Sequence, residues 1–208
     1  MKHILTLVMI FPLIWAPVRC QENAVKRDTG YFVDSRDSQV YQWMKIGTQI
    51  WMSRNLNYAS TKGSSCYNND STQGKTFGRL YEWSTAVTVC PAGWHLPTHP
   101  EWTVLADFLG DQAGEKLKEL GSEHWKGVDA VVRGDSGFNA LPAGFKGVDP
   151  NDRTFHGGTS QFAYFWSSTT ASPARKAWAR FLTFQDDELH RYEEWKEFGY
   201  SVRCIRNE

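Results

Sequence analysis

Charge of one sign is the first thing this sequence lacks. Its 208 residues carry 23 Lys and Arg against 23 Asp and Glu. No basic stripe exists to hold a polyanion, so nucleic acid is not expected among its partners. Internal repeats and low-complexity tracts are missing too, and the 17 Gly and 8 Pro are dispersed, which sets aside repeat and fibrous architectures. Long apolar runs are scarce. The stretch Ile4 to Val18 is broken by Pro and too short for a membrane span, and it follows Lys2 and His3, the pattern of a secretory signal. Residues 1–20 are therefore expected to be a leader, with two exits. Cleavage falls after Cys20, or Cys20 is itself the lipid-bearing first residue of a bacterial lipoprotein, for which Arg19 is a poor match. Membrane contact is expected only through such a lipid. Losing residues 1–20 leaves 21 basic and 23 acidic residues, a net charge of −2.

Cysteine is also rare: four in all, with Cys66, Cys90 and Cys204 beyond the leader. An odd number in an oxidising compartment leaves one over. Cys90 and Cys204 lie at the edges of the long central segment and make the better pair. Closing that 115-residue loop restricts the unfolded chain by up to about 4.7 kcal/mol in the entropy model. Cys66 is then a free thiol, or is bridged to Cys20 if that residue stays.

What is present centres on Cys90-Pro-Ala-Gly-Trp-His-Leu-Pro-Thr-His-Pro-Glu-Trp102. Thr98 followed by Glu101 is a capping box, Pro100 suits a first helical turn, and Trp102, Leu105, Ala106 and Leu109 recur at helical spacing before Gly110. A helix over 99–109 follows. Upstream, residues 21–33 read as a linker, Val40 to Ile46 and Ile50 to Met52 as a hairpin turning at Gly47-Thr48, and Asn55 to Lys75 as loop. Leu80, Trp83, Ser84 and Val87 suggest a helix over 79–88, and Ala113, Leu117 and Leu120 a short one over 112–120. Gly121 to Gly158 reads as a long Gly- and Asp-bearing excursion holding the apolar island Phe138 to Pro142. Strand-like runs then cover Phe162 to Thr169, Ala177 to Phe184 and Tyr200 to Arg206. The order argues for one α+β domain.

Several pieces resemble the Fibrobacter succinogenes major paralogous domain family: Asp34-Ser-Arg-Asp37 with Tyr41, Lys45-Ile-Gly-Thr-Gln-Ile-Trp-Met52, Asn55-Leu-Asn-Tyr58, Cys66-Tyr-Asn-Asn-Asp70, Phe77-Gly-Arg-Leu-Tyr81, Cys90 to Pro97 with Glu101-Trp102, Gly137 to Gly144, Phe165-Trp-Ser-Ser-Thr169 and Gly199-Tyr-Ser-Val-Arg-Cys204. They run in order over about residues 33 to 206. The resemblance implies a bacterial extracytoplasmic domain at 34–207, of undetermined biochemical role. More distantly, Gly93-Trp-His-Leu-Pro-Thr98 with Glu101-Trp102, and a closing Ser-Val-Arg, are similar to the sulfatase-modifying-factor branch of C-type lectin-like folds. That similarity implies paired N- and C-terminal strands and a Cys90–Cys204 bridge from the helical region to the last strand. Many members carry a second cysteine shortly after the Cys-Tyr-Asn-Asn-Asp segment; Ser71 to Thr76 has none here.

Chemistry is weakly signalled. His95, His99 and Glu101 spell a metal-ligand string, but Pro97 and Pro100 keep the histidines off one helix face. The thiols lack the paired reactive cysteines of formylglycine-generating relatives. Ser167 has no nucleophile elbow. Asp149-Pro-Asn-Asp152 and Asp186-Asp187-Glu188 offer hard oxygens without calcium-loop spacing and read as solvated turns. Ten tryptophans, Trp15 among them in the leader, are mostly expected in the core. Trp125, between His124 and Lys126, is the candidate exposed platform for sugar stacking. The expectation is a non-enzymatic module, secreted or surface-displayed, without cofactor, binding carbohydrate or protein through Trp125, Asp149, Asn151 and Asp152. Two alternatives stand beside it: a metal- or thiol-dependent oxidoreductase, and a structural envelope component bridged through Cys66.

Overall fold

A computed structural model describes residues 28–121, 123–127, 134–149, 151 and 153–207. The leader with Cys20, the first part of the linker and Asp152 lie outside the described residues. The chain begins with β1 (Thr29–Val33), β2 (Val40–Ile46) and β3 (Gln49–Met52). The expected hairpin is present, with Lys45 opposite Ile50 and Gly47 at φ 61° in its turn. β1 forms within the residues read as linker. Its side chains alternate outward and inward as it pairs with β2, Phe32 against Tyr41, so a tertiary partner supplies what five polar-flanked residues could not signal.

Next come β4 (Ser64–Ser65), α1 (Ser71–Phe77), β5 (Leu80–Glu82) and α2 (Trp83–Ala86). α1 stands in the stretch read as loop. Asp70 caps it, its Oδ1 accepting from the Thr72 amide at 2.8 Å, and it buries Gly74 and Phe77. The helix expected over 79–88 is corrected. Leu80 and Tyr81 are both buried, and the segment pairs on two sides as an inner strand before one helical turn. β6 (Trp94–His95) precedes α3 (His99–Leu109) and α4 (Ala113–Leu117). α3 matches the expected bounds. Glu101 Oε2 accepts from the Thr98 amide at 2.6 Å, and Thr98 Oγ1 from the Glu101 amide at 3.3 Å. α4 stops at Leu117, and Leu120 is 69% exposed rather than in phase with it.

The Gly-rich excursion holds a second hairpin, β7 (Ala143–Val148) with β8 (Thr154–Thr159). Its glycines let strands pack where composition read as loop; Gly144 sits at φ 68° against the Gly157 carbonyl. β9 (Phe162–Thr170) and β10 (Lys176–Thr183) fall on two expected runs, and β11 (His190–Trp195) adds a charged edge strand. The last run divides into β12 (Gly199–Ser201) and β13 (Ile205–Arg206).

Two sheets result. One has the order β1-β2-β3-β13-β6, so the chain's last strand lies between the first hairpin and β6, Ile205 facing Trp51 and His95. The other runs β11-β10-β9-β7-β12-β5-β4, with β8 on β7. With four helices among the described residues, all of 11 residues or fewer, the domain is α+β and mostly antiparallel sheet. Trp102 on α3 packs on Trp51 and Phe165 at ring distances of 4.8 and 5.6 Å. Its indole N–H donates to the Trp166 carbonyl, and that of Trp166 to Tyr81.

Every residue from Gly199 to Ile205 is buried. Within that segment Cys204 is bridged to Cys90, and Arg203 sends a guanidinium into the interior. Its Nε and Nη2 donate to Asn55 Oδ1 at 3.2 and 2.8 Å, Nη1 to the Met52 and Phe138 carbonyls, and Nη2 to that of Asn139 at 3.4 Å. The Phe138 ring lies 4.2 Å beneath it. Burial pulls its pKa down to about 9, with Arg54 adding repulsion. It remains the charged form at neutral pH.

Four outcomes follow. Replacing Cys90 and Cys204 together by Ala lowers unfolding free energy by about 2–4 kcal/mol, read from the urea midpoint. Arg203→Leu costs about 3–5 kcal/mol, because Asn55 and three carbonyls lose their donors in the interior. Arg203→Lys recovers less than half of that, since an ammonium cannot reproduce the fork. Cys66 is unbridged and 6% exposed, so mass-spectrometric mapping finds it unalkylated in native protein and alkylated after denaturation.

Candidate functional site

A cleft of about 440 Å³ opens over Arg203 and Asn55. One wall is the start of β2 with its preceding turn, Gln39 to Gln42, and the segment Ser53 to Asn57. The second is α1 and its cap, Gly74 to Gly78. The third is Glu119, Leu120, Asn139 and Leu141. No stretch of chain supplies more than one wall, and Asn55 and Arg203, which meet in the floor, are 148 positions apart.

Most polar groups around the cleft are fixed by one another. Asn55 Nδ2 donates to the Phe77 carbonyl at 2.9 Å and to Ser201 Oγ at 3.2 Å, while its oxygen takes the Arg203 fork. Gln39 Nε2 donates to Asp37 Oδ2 at 2.6 Å and to the Asn57 carbonyl; its oxygen accepts from Asn57 Nδ2 at 3.3 Å. Tyr41 Oη accepts from the Asn57 amide at 3.0 Å. Burial pushes that phenol up to about 12 against this bond, which keeps it a neutral hydroxyl. Both Glu119 oxygens contact His124 Nδ1, the shorter distance 2.8 Å, and Oε1 also accepts the His124 amide. Ser53 is different. Its residue is 1% exposed, its amide donates to the Gln42 carbonyl, and its hydroxyl has no partner among the described residues. An unmade hydrogen bond of this kind costs about 1–3 kcal/mol.

The rim is apolar. Val40 and Leu120 border the cleft and are both more than half exposed. A floor of fixed amides and cations under an apolar lip suits recognition, since a preformed concavity with a few convergent polar groups is what small ligands need.

The residues singled out from the sequence lie elsewhere. Trp125 is 3% exposed, so the expected stacking platform is corrected. Its indole N–H donates to the Ala140 carbonyl at 3.1 Å, and it packs with Leu117 and Phe138. Its polar neighbours misled: His124 turns to Glu119, and the Lys126 amide donates to the Ser160 carbonyl. Asp149 is engaged in the turn of the β7–β8 hairpin, accepting from the Asn151 and Arg153 amides and from Arg153 Nε, each at 2.9 Å. Asn151 is exposed beside it. Neither Asp149, Asn151 nor Trp125 borders the cleft. His95 is held between Glu101 Oε1 and Asn207 Oδ1 at 2.8 and 2.6 Å, whereas the His99 ring lies on Trp178 at 4.8 Å. The ligand string is thus divided between two sets of partners. Asp186 pairs with His190 at 2.8 Å, and Asp187 lies 3.7 Å from Lys118.

The cleft residues Ser53, Asn55 and Arg203 were not among the expected site residues. Asn55 and Arg203 belong to short motifs, Asn55-Leu-Asn-Tyr58 and Ser201-Val-Arg-Cys204, whose spacing carries no periodic signal, and Ser53 lies just ahead of the first. No curated protein and no solved structure matches the chain. The family model described as the Fibrobacter succinogenes major domain matches residues 44–206, a span that contains both motifs, most of the cleft and the disulfide. The chain belongs to that family.

Proposed function

We propose that this domain is a non-enzymatic binding module of an extracytoplasmic bacterial protein, secreted or held at the envelope, and that it takes its ligand in the cleft above Arg203. The cleft itself carries the reading, a concavity of about 440 Å³ whose lining gathers Arg203, Asn55, Asn57 and the buried, unpartnered Ser53 from distant parts of the chain. A C-type lectin-like scaffold is the finer version of the fold we propose. It is supported by the last strand inserted beside the first hairpin, by the Cys90–Cys204 clamp and by a long excursion between those cysteines. The bridge also favours an oxidising compartment.

Carbohydrate suits the cleft better than a flat protein surface. Asn57 commits one side-chain N–H to Gln39, which leaves amide capacity that a sugar hydroxyl can use, and Val40 and Leu120 at the lip can cover the C–H face of a ring. The oxidoreductase alternative finds little support in the thiols, one buried and two bridged. The envelope role through Cys66 would require α1 to open, since that sulfur packs beneath Gly74, where a Cβ would lie only 2.6 Å away.

The test is a glycan array of neutral and acidic oligosaccharides followed by calorimetry on the best binder. Thr76→Trp, at an exposed position of α1 bordering the cleft, should weaken binding by about tenfold or more while leaving the melting temperature unchanged. An array with no binder, binding indifferent to this variant, or a chemically altered glycan after prolonged incubation each contradicts the reading.

A further inference from the structure

We infer that the cleft selects a carboxylate-bearing oligosaccharide, with Arg54 and Lys75 at its mouth receiving the acid and the remaining amide capacity of Asn57 behind them meeting a ring hydroxyl. This rests on the cleft being the ligand site, and adds the charge and class of what enters it.

The first support is an imbalance of charge. Three cations border the cleft, Arg54, Lys75 and Arg203, against one carboxylate, Glu119. Glu119 is not available to neutralise them, because His124 holds both of its oxygens. Arg203 uses its N–H groups on one amide oxygen and three carbonyls, all neutral, and no carboxylate acts on its pKa. Its charge is hydrogen-bonded but not cancelled. In a partly dry concavity such a charge projects farther than it would at an open surface.

Repulsion between Arg54 and Arg203 is the second support, since the nearby Arg54 charge helps to depress the pKa of the buried one. Arg54 Nη2 also reaches the Lys75 carbonyl at 3.4 Å, which places α1 and the Ser53–Asn57 segment around the same volume. An anion seated there relieves the repulsion between Arg54 and Arg203. A neutral guest would leave it in place.

The third support distinguishes sugar from acidic peptide. Gln39 and Asn57 are locked to each other and to Asp37, so their amide planes are preset, and Ser53 supplies a lone hydroxyl. Rigid amides beside an unpaired hydroxyl fit a guest dense in hydroxyls. An extended peptide would seek free backbone edges, which this cleft does not border with a strand's length.

The experiment uses the full chain in its exported form, with trigalacturonate, its carboxyl-reduced neutral counterpart and hexaglutamate as probes. Calorimetry should give the uronate at least about tenfold tighter binding than the neutral sugar. Its affinity should fall severalfold as salt rises from about 20 to about 200 mM. Arg54→Gln with Lys75→Gln, both exposed and therefore safe for folding, should erase the preference and the salt dependence together, with unchanged melting. Equal binding of acidic and neutral sugars, or a preference that survives the double substitution, overturns the inference while leaving the cleft as a binding site. Hexaglutamate binding in place of the uronate overturns the assignment to sugar. Failure of the uronate alone, with a neutral glycan bound and lost in Thr76→Trp, overturns the charge selection and leaves the broader reading intact.

Discussion

One guanidinium ties the molecule together. Arg203 donates to the Met52 carbonyl at the end of β3, to Asn55 beyond it, and to Phe138 and Asn139 in the excursion. Its own chain neighbours are Ser201 in the larger sheet, the bridged Cys204 and Ile205 in the smaller sheet. A cation buried without a counter-ion is costly by itself. Here the cost is met only if two separate segments, 52–55 and 138–139, deliver their four acceptor groups together. That requirement makes the arrangement selective: a chain that misplaces the 138–139 island or the turn after β3 leaves a bare charge in the interior.

The disulfide acts on the same segment from the other side. Cys90 stands just ahead of β6 and the capped helix, so closing the bridge to Cys204 brings Trp94 and His95 beside Arg206 and Ile205. Covalent closure removes disorder from the unfolded chain, while the Arg203 fork sets register in the folded one. The two are complementary. A loop of this length can be closed in many registers, and the fork accepts one.

Legibility in the sequence followed the range of the interactions. α3 was readable to its termini because the signals lie within a dozen residues: Thr98, Pro100, Glu101, the 3–4 spacing and Gly110. The first hairpin and the strands β9 and β10 were readable for the same reason. β5 was not, since its partner lies far along the chain, Tyr81 opposite Tyr200; β1 and β7–β8 pair with near neighbours, but polar flanks in the first case and glycines in the second hid the alternation. α1 carried a local signal in Asp70, the N-cap ahead of Ser71, masked by a run of Ser, Thr, Gln and Gly with poor helical propensity. At the site, the Cys90–Cys204 pairing followed from position and family resemblance, and the bridge is present. The ligand face did not follow.

The reason for that failure bears on function. Glycine, aspartate and a lone tryptophan in a polar stretch are ordinarily marks of an exposed loop. Here the glycines of 143–158 serve a tight hairpin, Asp149 closes its turn, and Trp125 is drawn inward by Ala140 and Leu117. Once that segment folds onto the sheets, its own surface is self-satisfied and has little to offer a guest. What it leaves behind is a seam. Glu119, Leu120, Asn139 and Leu141 end up facing Gln39 to Gln42 and the end of α1 across a gap that neither side fills. The unmet hydroxyl of Ser53 lies at that seam, near a buried guanidinium, Arg203, on which no carboxylate acts. On the proposed reading, the ligand would enter where distant segments fail to close on each other.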